Sequence, residues 1–173
     1  YVASAQQIYA VVFHTESLFP VLFGAVASVM AAASFINSQL VERRGMRAVS
    51  HTALLCSVIT ALVLALATSL GFASVLVFSG LVAGNFFFFG LIAPNFNALA
   101  MEPQGGNAGM ASSVIGALST ATGALAGGLI GAAFDGTVMP LSLGILACTL
   151  LTCAAVSSIE GRAGLFGRQA RRT

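Results

Sequence analysis

From Gly84 to Leu141 the chain reads G-N-F-F-F-F-G-L-I-A-P-N-F-N-A-L-A-M-E-P-Q-G-G-N-A-G-M-A-S-S-V-I-G, continues through a glycine-rich apolar segment, and closes on F-D-G-T-V-M-P-L. Two long uncharged runs flank a short polar turn at Glu102 to Asn107. Each run is long enough to cross a bilayer, because about 20 apolar residues in a helix cover about 30 Å of hydrocarbon. Pro94 interrupts the first run near its end, among the polar residues Asn85, Asn95 and Asn97. The second run places Gly116, Gly123, Gly127 and Gly131 on a common helical face, and Ser112 extends that row upstream. A kinked polar helix followed by a glycine-faced helix reads as tightly packed membrane machinery and unlike a soluble core.

Composition points the same way. Only 7% of residues are charged and 58% are hydrophobic, whereas soluble domains carry about 25% charged residues. In lipid every backbone polar group must be paired internally, so spanning segments are helices or a closed barrel. The uncharged runs are too long for barrel strands and lack period-two alternation, which leaves helices. All seven basic residues are arginines, in two groups: Arg43, Arg44 and Arg47, then Arg162, Arg168, Arg171 and Arg172. Arginines clustered beside spans set orientation by the positive-inside rule. They lack the basic face and aromatic platform of a nucleic-acid binder, so no nucleic-acid partner is expected. Cys56, Cys148 and Cys153 lie inside apolar runs and read as small buried hydrophobes. No metal-ligand spacing is present, and neither a metal nor another cofactor is expected.

Taken in order, Tyr1 to Phe13 (1–13) is a partial span, too short to cross alone, and the chain therefore reads as a piece of a longer protein. Complete spans are predicted at 18–41, 48–68, 72–99, 108–134 and 138–158, with a basic tail at 159–173. The 18–41 span ends in Glu42-Arg43-Arg44-Gly45-Met46-Arg47, where arginines complement the helix dipole and Gly45 stops the helix. Thr52 to Met101 holds no charge, so its 50 residues are divided at Ser69-Leu70-Gly71. With this count both arginine clusters and Glu102 fall on the cytoplasmic side, and Glu16 and Asp135 fall outside.

These residues carry a family resemblance. Six spans of this topology resemble the C-terminal half of a major facilitator superfamily transporter. Ser38 to Arg47, S-Q-L-V-E-R-R-G-M-R, is similar to that superfamily's loop motif of small-x-x-x-acid-Arg-x-Gly-x-Arg, matched here at Glu42, Arg43, Gly45 and Arg47. Met46 replaces the usual basic residue. The Gly84 to Leu141 stretch resembles the bicyclomycin-resistance (Bcr/CflA) branch of drug:proton antiporters. The resemblance implies an all-α membrane bundle in which the five complete spans are helices eight to twelve and Tyr1 to Phe13 is the outer part of helix seven. It also implies alternating-access efflux of small amphipathic compounds coupled to protons, a multi-pass chain in a bacterial inner membrane with its C-terminus cytoplasmic, and an N-terminal half as partner.

Individual residues are read against plainer alternatives. The glycine row (Ser112, Gly116, Gly123, Gly127, Gly131) permits close helix approach, either as static packing within this half or as a sliding contact with the other half. Asn85 is assigned to the substrate cavity, with an interhelical hydrogen bond as its alternative. Gln6 and Ser119 are the other cavity candidates, although Ser119, Thr120 and Thr122 can also bond their own helix backbone. Pro94, Asn95 and Asn97 form a kink at the cytoplasmic gate. Tyr9, His14 and His51 read as interfacial residues near span ends.

Absences complete the reading. The acidic residues Glu16, Glu42, Glu102, Asp135 and Glu160 all fall at span ends, so a proton-coupling carboxylate is expected in the N-terminal half. Phosphate-cradling loops and Ser/His/Asp sets are missing, and an enzyme is not expected. The competing functions are another facilitator carrier, for sugars or organic anions, and a non-transport five-span membrane subunit. The topology has a direct test in thiol labelling of intact cells with an impermeant reagent. Asp135→Cys should label and Glu102→Cys should not; the opposite pattern inverts the orientation.

Overall fold

The computed structural model describes residues 1–164, with side chains described through 159. It is helical, with no strand among the described residues. The order is a short turn α1 (Ala5–Gln7), a π-helical turn (Ile8–Val12), a 3-10 turn (Glu16–Leu18), α2 (Phe19–Arg44), α3 (Met46–Ser69), α4 (Val75–Met101), a 3-10 turn (Glu102–Asn107), α5 (Ala108–Ala132) and α6 (Met139–Gly164). Among the described residues four helical segments are long and apolar enough to cross a membrane: Glu16–Arg44, Met46–Ser69, Val75–Ala132 and Met139–Ile159. The third is 58 residues long and comprises α4, the 3-10 turn and α5. The basic tail, beyond the last turn of α6, lies outside the described residues.

Local chemistry sets the helix ends. Gly45 alone separates α2 from α3, at φ 80° and ψ 154°, a conformation open essentially only to glycine. Its amide bonds the Val41 carbonyl at 2.9 Å and closes α2. Gly71 turns with φ 75° after α3, and Ser74 then caps α4 by accepting from the Val77 amide at 3.4 Å. The span expected from 72 accordingly starts its helix at Val75. Glycines with positive φ also sit at both ends of α5, Gly105 at 45° and Gly136 at 84°. In the α5–α6 turn the Asp135 carboxylate accepts from the Thr137 hydroxyl at 2.6 Å and from the Thr137 amide at 3.0 Å. The hydroxyl bond, then the amide bond, hold the Asp135 carboxyl below its usual range.

Two apolar clusters make the core. One gathers Ala5, Ile8 and Tyr9 with Val26 of α2, Leu64 of α3, Phe78 and Val82 of α4, and Val138 and Leu141 at the start of α6. The other gathers Ala33 of α2, Val49, Ala53 and Leu54 of α3, and Leu91 and Ile92 of α4. α4 belongs to both clusters and lies against α2 and α3, while α3 also contacts α6. By contrast α5 contributes no buried residue.

Several expectations are corrected here. The first 13 residues do not continue as a regular α-helix. The Phe13 amide reaches the Ile8 carbonyl at 3.2 Å, a π-type bond, and the adjacent Ile8 and Tyr9 are both fully buried. Tyr9 is therefore a core residue and not an interfacial anchor: its hydroxyl pairs with Ser79 Oγ at 2.8 Å, and the Phe78 ring meets it edge-on with centroids 6.1 Å apart. His51 is likewise buried within α3, with the Phe96 ring 6.1 Å away. Pro94, expected at a kink, lies within one continuous helix, α4, that ends at Met101. Pro94 is exposed, so its ring stays out of the helix contacts, and Asn95 supplies an extra donor to the Leu91 carbonyl at 2.6 Å.

Two glycines sit at tight helix contacts: Gly144 of α6, where a Cβ would fall on the Ile130 side chain of α5, and Gly90 of α4, where it would also meet backbone. A Cβ placed at Gly90 would lie 2.8 Å from the Ala33 Cβ and 3.1 Å from the Met30 carbonyl oxygen of α2. At Gly116 a Cβ meets nothing within 4 Å. Gly90→Ala should therefore lower stability by about 1–3 kcal/mol, as overpacking does, and Gly116→Ala should leave it unchanged or raise it by up to about 1 kcal/mol, as replacing an unhindered helical glycine does. Thermal unfolding of both variants in one detergent checks this, and equal shifts would contradict the packing.

Candidate functional site

A half-open cavity of about 800 Å³ lies among α3, α4, α5 and α6. Leu54 of α3, Phe89, Ile92 and Phe96 of α4, and Ile115 of α5 give it an apolar lining. The polar residues on its wall are Ser57, Asn97, Ser112, Ser119, Thr120, Thr149 and Thr152. Three of these already have partners. Ser57 Oγ donates to Asn85 Oδ1 at 3.1 Å, Thr149 Oγ1 to the Leu146 carbonyl at 2.9 Å, and Thr152 Oγ1 to the Cys148 carbonyl at 2.8 Å. The α4–α5 side thus offers Asn97, Ser112, Ser119 and Thr120. No charged side chain is on the wall among the described residues.

α5 supplies its share of the wall through helical spacing. Ser112, Gly116, Ser119, Thr120 and Gly123 recur at intervals of three and four, so they line one face. That face meets space. Gly116, Gly123 and Gly127 have nothing within 4 Å of a built Cβ, and of the glycine row only Gly131 meets a neighbour, with Ala3 Cβ at 3.4 Å and Ser4 Oγ at 3.7 Å. Close packing of the row within the described chain is thereby corrected. Glycine spacing permits close approach without specifying a partner. Here Ser112, Gly116 and Gly123 leave room in a cavity, while Gly127 lies off its wall.

The other expected cavity residues separate. Asn85 does not line the cavity: it is buried between α3 and α4, accepts from Ser57, and its amide donates to the Leu81 carbonyl at 3.3 Å. The interhelical alternative holds for it, because an amide in an apolar bundle is drawn to a hydroxyl on the next helix. Gln6 is exposed and off the cavity wall, since Ser4, Ala5, Ile8 and Tyr9 take the inward positions of that turn. The gate triad divides as well. Asn97 faces the cavity, Pro94 is exposed, and Asn95 is buried, its Nδ2 donating to Asn37 Oδ1 of α2 at 2.7 Å. Asn95 is thus a clamp between α2 and α4. Glu42, Arg43, Gly45 and Arg47 are exposed at the α2–α3 bend, away from the cavity.

Sequence reasoning did not single out Asn37, Ser57 and Ser79, each of which pairs across helices with a residue of α4 or its neighbours. A signal existed in each case: a lone polar residue in an apolar helix needs a partner. No group of three or more potential metal ligands occurs among the described residues.

No family model, curated protein or solved structure matches the chain. The cavity and its walls therefore carry the functional argument.

The Asn37–Asn95 pair is open to a double-mutant cycle. Each single alanine variant leaves the other amide buried without this partner. The coupling should be about 1 kcal/mol, within the range of interhelical bonds in membrane proteins, with the double variant no less stable than the worse single one. Denaturant unfolding in detergent reads it, and strict additivity would mean that the bond adds nothing.

Proposed function

We propose that the chain is the second half of a secondary transporter that exports small amphipathic compounds by alternating access. The observation that carries this reading is α5. It is a long apolar helix with no buried residue; its Gly116 and Gly123 positions open onto a half-open cavity of ligand size, and Gly127, off the cavity wall, has nothing within 4 Å of a built Cβ. An apolar helix with a bare small-residue face suits contact with a second bundle, because small side chains let membrane helices approach. Facilitator-type transporters are built from two such bundles that rock about a site near the membrane midplane. The resemblance of Ser38 to Arg47 to the facilitator loop motif supports the same assignment, and Gly45 supplies there the tight bend that the motif requires.

In this reading α2, α3, α4 and α6 form the rigid part of the rocking unit, and α5 faces the other half. Glu16, Glu42, Glu102 and Asp135 are all exposed. The coupling carboxylate for protons is accordingly assigned to the N-terminal half, and this half contributes neutral polar groups to the substrate path.

Dye efflux from cells expressing the full reading frame tests the proposal. Parent protein should extrude a lipophilic dye in a manner abolished by collapsing the proton gradient. Gly127→Leu should reduce efflux about tenfold, the loss expected if overpacking of about 1–2 kcal/mol falls on one conformation of the cycle. Its thermal stability should stay at the parental value, because space surrounds Gly127 in this bundle. Parental efflux in Gly127→Leu would remove the interface, and absence of gradient-dependent efflux in the parent would remove the transport function in favour of a membrane subunit.

A further inference from the structure

We infer that the cavity among α3, α4, α5 and α6 is a binding site for an uncharged, largely apolar small molecule, which it holds by a polar edge on α4 and α5 and from which it excludes organic ions. The inference rests on the reading of this cavity as substrate-facing, but its test requires no transport.

Three observations lead to it. The volume of about 800 Å³ is that of a pocket for a drug-sized molecule, which falls between about 300 and 1,000 Å³. The polar groups are arranged unevenly. On α3 and α6 the hydroxyls of Ser57, Thr149 and Thr152 are committed to Asn85 and to their own helix backbone. On α4 and α5, Asn97, Ser112, Ser119 and Thr120 face the space. A ligand there meets the apolar side chains of Leu54, Phe89, Ile92, Phe96 and Ile115, with the uncommitted polar groups set among them on α4 and α5. Finally, no charged residue lines the wall among the described residues. An ion entering from water would lose hydration without gaining a counter-charge, and burial of an unpaired charge is strongly disfavoured. A neutral molecule with one or two hydrogen-bonding groups loses little and is oriented by the α4–α5 edge.

The space is held open by glycine. Gly116 and Gly123 both line it, and neither backbone is pressed against a neighbour. A larger side chain at either position would fill the cavity without forcing helices apart, so occupancy can be blocked separately from folding. Gly128 of the same helix also has open surroundings but lies off the wall, and it serves as the control.

The protein carries its own reporter. Cys148 is exposed on the cavity wall, whereas Cys56 and Cys153 are off it. Purified protein in phosphatidylcholine nanodiscs is labelled with N-ethylmaleimide, and the rate at each thiol is read by mass spectrometry. N-phenyl-1-naphthylamine, neutral and aromatic, should slow labelling of Cys148 saturably and leave Cys56 and Cys153 unchanged. N-(1-naphthylmethyl)pyridinium, a permanent cation of similar bulk, should need at least about tenfold more for the same protection, a gap of one decade in affinity. Gly116→Leu should lose the protection at an unchanged melting temperature, and Gly128→Leu should keep it. Gly123→Leu repeats the block should Gly116→Leu fold poorly. Protection of all three thiols alike, equal protection by the cation, or full protection in both blocked variants would overturn the site. So would a Cys148 that labels only after delipidation, which would give the cavity to a lipid acyl chain. Selective protection without dye efflux in cells would keep the site and refute transport, and efflux without protection would do the reverse.

Discussion

A polar side chain inside an apolar helix bundle must find a partner on a neighbouring helix or on its own backbone, and the contacts of this chain follow from that requirement. Tyr9 pairs with Ser79, Ser57 with Asn85, Asn37 with Asn95, and Thr68 with Ser142 at 3.0 Å. Each bond joins different elements: the π-helical turn to α4, α3 to α4, α2 to α4, and α3 to α6. In hydrocarbon, where apolar surfaces gain little by leaving lipid, such bonds and close packing determine which helices adjoin. Three of the four end on α4. α2, α3 and α4 each belong to both apolar clusters, and it is on α4 that the polar bonds converge.

The approach of α2 to α4 shows how packing and bonding cooperate. Gly90 removes a side chain where Met30 and Ala33 press closest, and Asn95 reaches Asn37 just over one turn further on. Pro94 lies between them and cannot donate to the Gly90 carbonyl. The helix continues past the missing bond with a contact to α2 on either side of it. α5 has no buried side chain and no side-chain bond to another helix among the described residues, and it is held near its end, where its Ile130 lies against Gly144 of α6.

Much of this was legible in the sequence, and the failures have physical causes. The helical class, the bend at Gly45 and the division near Ser69 to Gly71 follow from long uncharged runs and glycine's access to positive φ, signals local to the chain. Asn85 was misplaced because an amide has the same sequence signature whether it faces a cavity or a hydroxyl on another helix. Only the identity of its neighbour, Ser57, decides. Tyr9 and His51 were read as interfacial from their nearness to span ends, but the inward turn of the first residues and the packing of Phe96 bury them. Ser119 and Asn97 came together on one wall, whereas Gln6 did not, since the π-helical turn places Ile8 and Tyr9 inward instead. Spacing of three and four identified the small-residue face of α5 correctly and left open what it faces, because a row of glycines records absent atoms and names no partner.

The isolation of α5 also divides the burden of sequence change within the chain. Substitutions in α2, α3 and α4 act on buried contacts, so the requirement to stay folded filters them. Along the exposed face of α5 from Ser112 to Gly123 the same substitutions disturb little of this bundle, whereas Ile130 and Gly131 tie the end of the helix to it. What is retained on that face is then a record of what lies beside it in the working protein. Selection for stability thus weighs most on α2, α3 and α4, and changes on the exposed face of α5 leave that scaffold intact.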